Sequence, residues 1–169
     1  MPEMLTGIPT APPAHGFLVV LLLDNWRYAL PLHSVVRVVR AVEVTPLPQA
    51  PDIVLGAINV GGCIIPVFNL RKRFRLPERE LELDDLFVMA RTSRRTVALV
   101  VDAVDGVMEC AEGQSVPPDA VHPALEYVQG VVACADGMIL IHDLDKFLSL
   151  PEEAALTAAM ARSGAEGKP

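Results

Sequence analysis

The sequence predicts an all-β protein built as two pseudo-repeated barrels, and three observations carry that expectation. The first is composition: 51% of the 169 residues are apolar and only 5% aromatic, so the core is built from Val, Leu, Ile and Ala. β-Branched residues at this density favour strands. The second is an internal repeat. The third is size: each half is too short for an open sheet to be stable with one face wet, whereas closure removes the edges.

The repeat consists of two blocks in the same order. "DIVLGAINVGGCIIPVFNLRKRF" from Asp52 aligns without gaps on "EYVQGVVACADGMILIHDLDKFL" from Glu126, at an offset of 74. Gly56 falls on Gly130, Ile58 on Val132, Ile65 on Ile139, Val67 on Ile141, Asn69 on Asp143 and Leu70 on Leu144. Upstream, "FLVVLLLDNWRYALPLHSVVRVV" from Phe17 aligns on "LFVMARTSRRTVALVVDAVDGVM" from Leu86 at an offset of 69. In each, an apolar strand, a polar turn (Asp24 to Arg27, Thr92 to Arg95) and a second apolar strand follow one another, and the Ala-Leu pair recurs at 29–30 and 98–99. Duplication explains this better than coincidence.

The elements follow in order. Residues 1–16 hold four prolines and no Lys or Arg, and are expected to be a disordered tail unlike a secretory signal. One domain spans 17–150, with a first barrel over about 17–75, a charged linker at 75–85 and a second barrel over about 86–150. Gly61-Gly62 supplies the positive φ angles of a two-residue hairpin, and Asp136-Gly137 does the same in the second half. Pro66 lacks an N–H and belongs at an edge or bulge. Gly56 and Gly130 mark either a bend or a close backbone approach. The linker "RLPERELELDD" holds seven charges in eleven residues. Pro151 opens an Ala-rich helix with acids in its first turn, and from Gly164 the chain is expected to fray within the tail 151–169.

Charge and cysteine content exclude several function classes. The net charge of −7 speaks against nucleic acid. Eight of the fourteen Lys and Arg lie between Arg71 and Arg95 among five acids, which is expected to form a solvated face. No apolar run is long enough to span a membrane, and a cytoplasmic protein is expected. Cys63, Cys110 and Cys134 are odd in number and set among apolar residues, as suits reduced, buried thiols.

Catalytic chemistry finds little support. Ser34 beside His33 is the one nucleophile–base neighbour pair, and a turn serine is expected there. His142, Asp143 and Asp145 resemble metal ligands in type, but Asp143 matches Asn69 in the other half, where no histidine occurs, so a strand-end cap is expected. Asp102, Asp105 and Glu109 fall in an alternating strand pattern and belong to its exit and turn. No glycine loop precedes a Lys-Ser or Lys-Thr pair. A binding module without metal or cofactor is the expectation.

"APDIVLGAINVGGCIIPVFNLRKRF" resembles the signature of the chemotaxis coupling protein family, the CheW-like domains. Pro51, Ile53, Val54, Gly56, Asn59, Gly62, Ile64, Ile65, Pro66, Val67, Leu70 and Arg71 fit its pattern, and the likeness extends over about 17–150. The resemblance implies two five-stranded SH3-like barrels sharing a hydrophobic core, with short helices and no catalytic activity. It further implies an adaptor that links methyl-accepting chemoreceptor tips to the regulatory domain of a CheA-type histidine kinase, reaching membranes only through receptors. Carried over, a receptor groove between the barrels would involve Val35, Val38, Ile58, Leu99 and Val101. The kinase-facing rim would involve Asn59, Gly61, Ile64 and Arg71, with Asn59 alternatively satisfying turn backbone. Two positions depart: the family's motif arginine is Gly61 and its aspartate is Asn69, a coordinated loss of one plausible charge pair. The runner-up is a variant module of a specialised motility or development pathway that binds the receptor but not the kinase.

Overall fold

The structure is a computed structural model and describes the backbone of residues 16–111, 114–116, 128–134 and 137–166, with side chains to residue 162. Residues 1–15 of the tail expected over 1–16, the first two residues of the 126–148 repeat block, Asp136 of the second turn and the last three residues lie outside the described residues, and Gly16 belongs to the first strand.

Eleven strands are described. They are β1 (Gly16–Leu23), β2 (Trp26–Pro31), β3 (Val35–Arg40), β4 (Val54–Val60), β5 (Cys63–Phe68), β6 (Leu86–Arg91), β7 (Thr96–Val101), β8 (Ala103–Cys110), β9 (Ser115–Val116), β10 (Val128–Cys134) and β11 (Gly137–His142). Two α-helices, α1 (Leu70–Arg73) and α2 (Leu150–Glu166), and two short 3-10 turns, Leu32–Ser34 and Leu144–Lys146, complete the order.

The strands form two sheets, in the orders β8-β1-β2-β11-β10-β9 and β3-β6-β7-β5-β4. This corrects the expected division at 17–75 and 86–150. The hairpin β1–β2 of the first half joins the closing hairpin β10–β11 of the second, and β6–β7 joins β4–β5, so the halves exchange their first hairpins. Parallel pairing seals both exchanges, β11 against β2 and β5 against β7. The repeat survives intact: β1–β2 corresponds to β6–β7, β3 to β8, and β4–β5 to β10–β11.

Strand alternation builds three apolar clusters, because successive side chains point to opposite faces. Leu18, Val20 and Ala29 face a cluster inside the first sheet with Cys110, Val132, Ile139 and Ile141. Their counterparts Phe87, Met89 and Ala98 face one inside the second sheet with Ile58, Ile65 and Val67. The intervening residues, Val19, Leu21, Tyr28 and Leu30 on one side and Val88, Ala90, Val97 and Leu99 on the other, meet in a shared core. Cys110 on the end strand β8 and Val132 on β10, next to the other end, touch one cluster, so the sheet curls on itself.

Helix α2 is part of the domain and no tail. Leu156 and Ala159 are buried in the shared core. A capping box starts the helix: Glu152 N–H donates to Ser149 Oγ at 3.3 Å, and Ser149 N–H donates to Glu152 Oε1 at 2.8 Å. Arg73 and Arg95 then clamp it, donating to Glu152 at 3.1 Å and Glu153 at 3.2 Å. The helix continues through Glu166, beyond the expected fraying point at Gly164.

Candidate functional site

The β4–β5 hairpin is the outward feature of the signature stretch. Val60 pairs with Cys63, leaving Gly61 and Gly62 as a two-residue turn with φ of +60° and +91°. Both angles suit the primed turns whose twist matches the strands. Asn59 lies beneath the turn, and its Oδ1 accepts from Gly62 N–H at 2.9 Å. Gly56, at the far end of β4, is a close-approach glycine: a Cβ there would run into the Thr45 carbonyl oxygen.

Beside the hairpin opens a concavity of about 370 Å³ whose wall includes Val36, Val60, Cys63, Ile64, Arg95 and Met160. Ile64 is 37% exposed and Val36 49%. Cys63 is exposed, against the expectation of a buried thiol, because its position directly after the turn places it at the rim. Cys110 is buried as expected, and desolvation pushes its thiol pKa up.

Arg71 is the principal correction. The rim position implied by resemblance is 7% exposed, and its guanidinium turns inward. It donates to both oxygens of Asp102 at 2.9 and 3.0 Å, pairs with Asp24 at 2.9 Å, and donates to the Pro77 carbonyl at 3.0 Å. Burial opposes the charge, but the carboxylates of Asp102 and Asp24 outweigh it and hold the pKa above its ordinary value. Arg79 extends the cluster to Asp102 and Asp85, each at 2.7 Å. Burial raises the Asp85 and Asp102 carboxyl pKa values, and their hydrogen bonds and arginine partners win, leaving both below the usual range. Arg79 and Asp85 thus tie the linker 75–85 to the sheets, while most of its residues remain exposed to solvent as expected.

The expected receptor-groove residues divide sharply. Leu99 and Val101 are 0% exposed and Ile58 5%, so they serve the cores and present nothing to a partner. Alternation is the reason: Leu99 and Val101 share the face that meets β1 and β2. Val35 is half-buried against the shared core, and Val38 stands on the surface. Asn59, Gly61 and Ile64 cluster at the hairpin tip; Val38 lies apart on β3. Gly61 and Asn69 stand beyond opposite ends of β5, separated by about 26 Å of extended chain, so the charge pair inferred from their joint departure does not fit the geometry.

The remaining polar candidates are structural. Asn69 caps α1 by accepting from Arg71 N–H, and Asp143 accepts from Asp145 N–H in the equivalent place. Asp145 accepts from Ser93 N–H at 2.8 Å. His33 and Ser34 sit in a 3-10 turn. His142 is buried beside Tyr28, Phe74 and Phe147, with ring centroids 4.6, 4.6 and 5.3 Å away. Neither ring nitrogen has a hydrogen-bond partner among the described residues, and desolvation lowers its pKa to about 3. Among the described residues, no three His, Cys, Asp or Glu side chains group as metal ligands would. Sequence reasoning missed the Arg71–Arg79–Asp102 cluster and Met160 as a wall of the concavity. The cluster had a signal in the acids that end β1 and β7; the Met160 wall had none.

Comparison with known proteins decides the family. The CheW-like domain profile matches residues 16–152. The chain belongs to the CheW-like domain family. It is 29% identical to a chemotaxis protein CheW of Klebsiella aerogenes over 147 residues, covering 86% of this chain and 88% of that one. A second CheW, from Rhizobium meliloti, is 32% identical over 141 residues, covering 82% and 91%. The crystal structure of the scaffolding protein TtCheW from Thermoanaerobacter tengcongensis is similar at a TM-score of 0.74 and 31% identity, covering 82% of this chain and 95% of that one. The two-sheet all-β fold is thus that of a chemotaxis scaffold. No described helix is long and apolar enough to cross a membrane.

Proposed function

We propose that this protein is a non-catalytic coupling adaptor of bacterial chemotaxis. It bridges the cytoplasmic tips of methyl-accepting receptors and the regulatory domain of a CheA-type histidine kinase, from the cytoplasm. The observation that carries the reading is the β4–β5 hairpin: the family signature is presented as an exposed apolar tip beside a concavity of about 370 Å³, on a body held by three cores. Apolar concavities with arginine at the wall suit protein partners. Ile64, Asn59 and Gly61 form the kinase-facing surface, and Val38, flanked by half-buried Val35, is what remains of the receptor surface.

The test is a pair of dissociation constants, for the kinase regulatory domain and for a receptor cytoplasmic fragment. Binding to both at about 1 µM or tighter is expected, with Ile64→Asp weakening the kinase arm at least tenfold. Absence of both interactions overturns the proposal. The second reading, receptor binding without kinase binding, is favoured by Gly61 at the tip, where the motif arginine is missing. Gly61→Arg separates them. The left-handed φ costs about 1 kcal/mol of folding stability, and no atom stands within 4 Å of the added Cβ. A gain in kinase affinity in that variant identifies the missing arginine as the tuning position.

A further inference from the structure

We propose that the depression at the end of β11 docks an extended, arginine-bearing segment of a partner protein. The fold makes this depression twice. One, of about 100 Å³, lies beside α1 and is lined by Leu55, Asn69, Arg71 and Val100 together with residues of the linker. The other, of about 250 Å³, lies beside the 3-10 turn Leu144–Lys146, and its wall includes Gln129, Asp143, Asp145 and Pro31. These four are the duplicates of the first four, three at the offset of 74 and the Pro31–Val100 pair at 69.

In the first copy the chain supplies its own occupant. After α1 the linker turns back across the depression, where the Pro77 carbonyl accepts from Arg71 Nη1 at 3.0 Å. Arg79 donates to Asp102 and Asp85 at 2.7 Å, and Arg79, Glu80 and Leu81 complete the wall. After the second block the chain instead enters α2, whose Leu156 is buried in the shared core. Among the described residues, no segment lies across the second depression as 77–81 lies across the first.

The chemistry of the second copy selects the occupant. Where the first offers the Arg71 cation to a carbonyl, the second offers carboxylates to a donor, because Asp145 replaces Arg71 and Asp143 replaces Asn69. Asp145 Oδ1 accepts from Ser93 N–H at 2.8 Å, and its other oxygen has no partner among the described residues. Asp143 Oδ1 accepts from Asp145 N–H at 3.2 Å, and its other oxygen has Lys146 Nζ at 3.9 Å. Arginine suits such a pair better than lysine, since its planar fork matches carboxylate oxygens. Arg91, which also lines the depression, can donate to a backbone carbonyl of the segment, as Arg71 does to Pro77. His142 lines it too; it is 1% exposed, and neither ring nitrogen has a hydrogen-bond partner among the described residues. A buried polar group left unpaired is costly, so a segment reaching it gains a partner the fold does not supply.

The experiment uses the purified full chain, ¹⁵N-labelled, and two synthetic peptides. GLPARALG copies Leu76, Pro77, Arg79 and Leu81 of the linker with alanine for Glu78 and Glu80, and GLPAEALG exchanges its arginine for glutamate. The arginine peptide should shift the Ser93, Gln129 and Asp145 amides saturably with a dissociation constant of about 100 µM, and the glutamate peptide should bind at least tenfold more weakly. Asp145→Asn keeps an oxygen for Ser93 N–H, and Asp143→Asn installs the capping residue of the first half. Each should weaken the arginine peptide at least fivefold, whereas Asp84→Asn, which removes the same charge from the exposed linker, should leave it unchanged. No saturable shift up to about 1 mM peptide, shifts that map elsewhere, equal binding of the two peptides, or unchanged binding in the Asp143 and Asp145 variants would overturn the proposal. Neither kinase nor receptor is present, so such a failure leaves the adaptor reading standing.

Discussion

The ends of the two closing hairpins occupy equivalent places and do opposite chemistry. After β5, Phe68-Asn69-Leu70-Arg71 leads into α1; after β11, His142-Asp143-Leu144-Asp145 leads into a 3-10 turn. The caps are alike, Asn69 and Asp143 each accepting from the backbone two residues on. The next contact is also alike in position: Arg71 reaches Asp24 in the β1–β2 turn, and Asp145 reaches Ser93 in the β6–β7 turn. Asp24 and Ser93 correspond at the offset of 69, as Arg71 and Asp145 do at 74. Duplication preserved the contact and let its chemistry diverge, into a buried ion cluster on one side and a single backbone hydrogen bond on the other.

Breaking each contact should therefore cost different amounts. Arg71→Met leaves Asp24 and Asp102 facing one another, with Arg79 the one remaining counterion near Asp102 among the described residues. The loss should be about 3 kcal/mol, the low end for a broken buried pair because both acids keep some solvent. Asp145→Ala removes one exposed hydrogen bond and should cost about 1 kcal/mol. Denaturant titration of both variants measures the contrast, and equal losses would show that the ion cluster carries no special weight.

The second difference is His142 where the first half has Phe68. Burial keeps the ring neutral, while Tyr28, its closest titratable neighbour, stays protonated because desolvation lifts its pKa to about 12. The unfolded chain protonates a histidine near pH 6.5, and the folded chain only near pH 3. Stability is thus complete above about pH 6.5 and falls as pH drops between the two values, by about 1.4 kcal/mol per unit. The carboxylates with lowered pKa, Asp85, Asp102 and Glu152, add losses only below about pH 4, so between about pH 4.5 and 6 the histidine slope stands apart. His142→Phe restores the residue of the first half and removes two unsatisfied nitrogens. It should raise stability by about 1–2 kcal/mol at pH 7 and flatten the slope in that window.

How far the sequence reaches is visible in the same elements. The offsets of 69 and 74 identified which segments are equivalent, and their apolar runs marked them as strands. They could not identify which segments pair. Hairpins β1–β2 and β6–β7 present the same apolar alternation, so each could close either sheet, and the exchange follows from how the connections run. For the same reason Leu99 and Val101 looked available to a partner. Arg71 looked like a rim cation because its carboxylates lie 47 residues upstream and 31 downstream. Gly61, Asn59 and the turn chemistry were legible because a two-residue turn is set by its own backbone.

The smallest expected effect tests the joint departure from the family motif. Asn69→Asp restores the family's acid at a cap where Asn and Asp serve equally well, so stability should change by less than about 0.5 kcal/mol. If Gly61 and Asn69 had lost a direct charge pair, Gly61→Arg and Asn69→Asp together would recover a coupling energy. Separated by the length of β5, they should instead be additive within about 0.5 kcal/mol in a double-mutant cycle. Additivity assigns the arginine position to partner choice at the hairpin tip and the aspartate position to capping of α1, two independent substitutions at opposite ends of one strand.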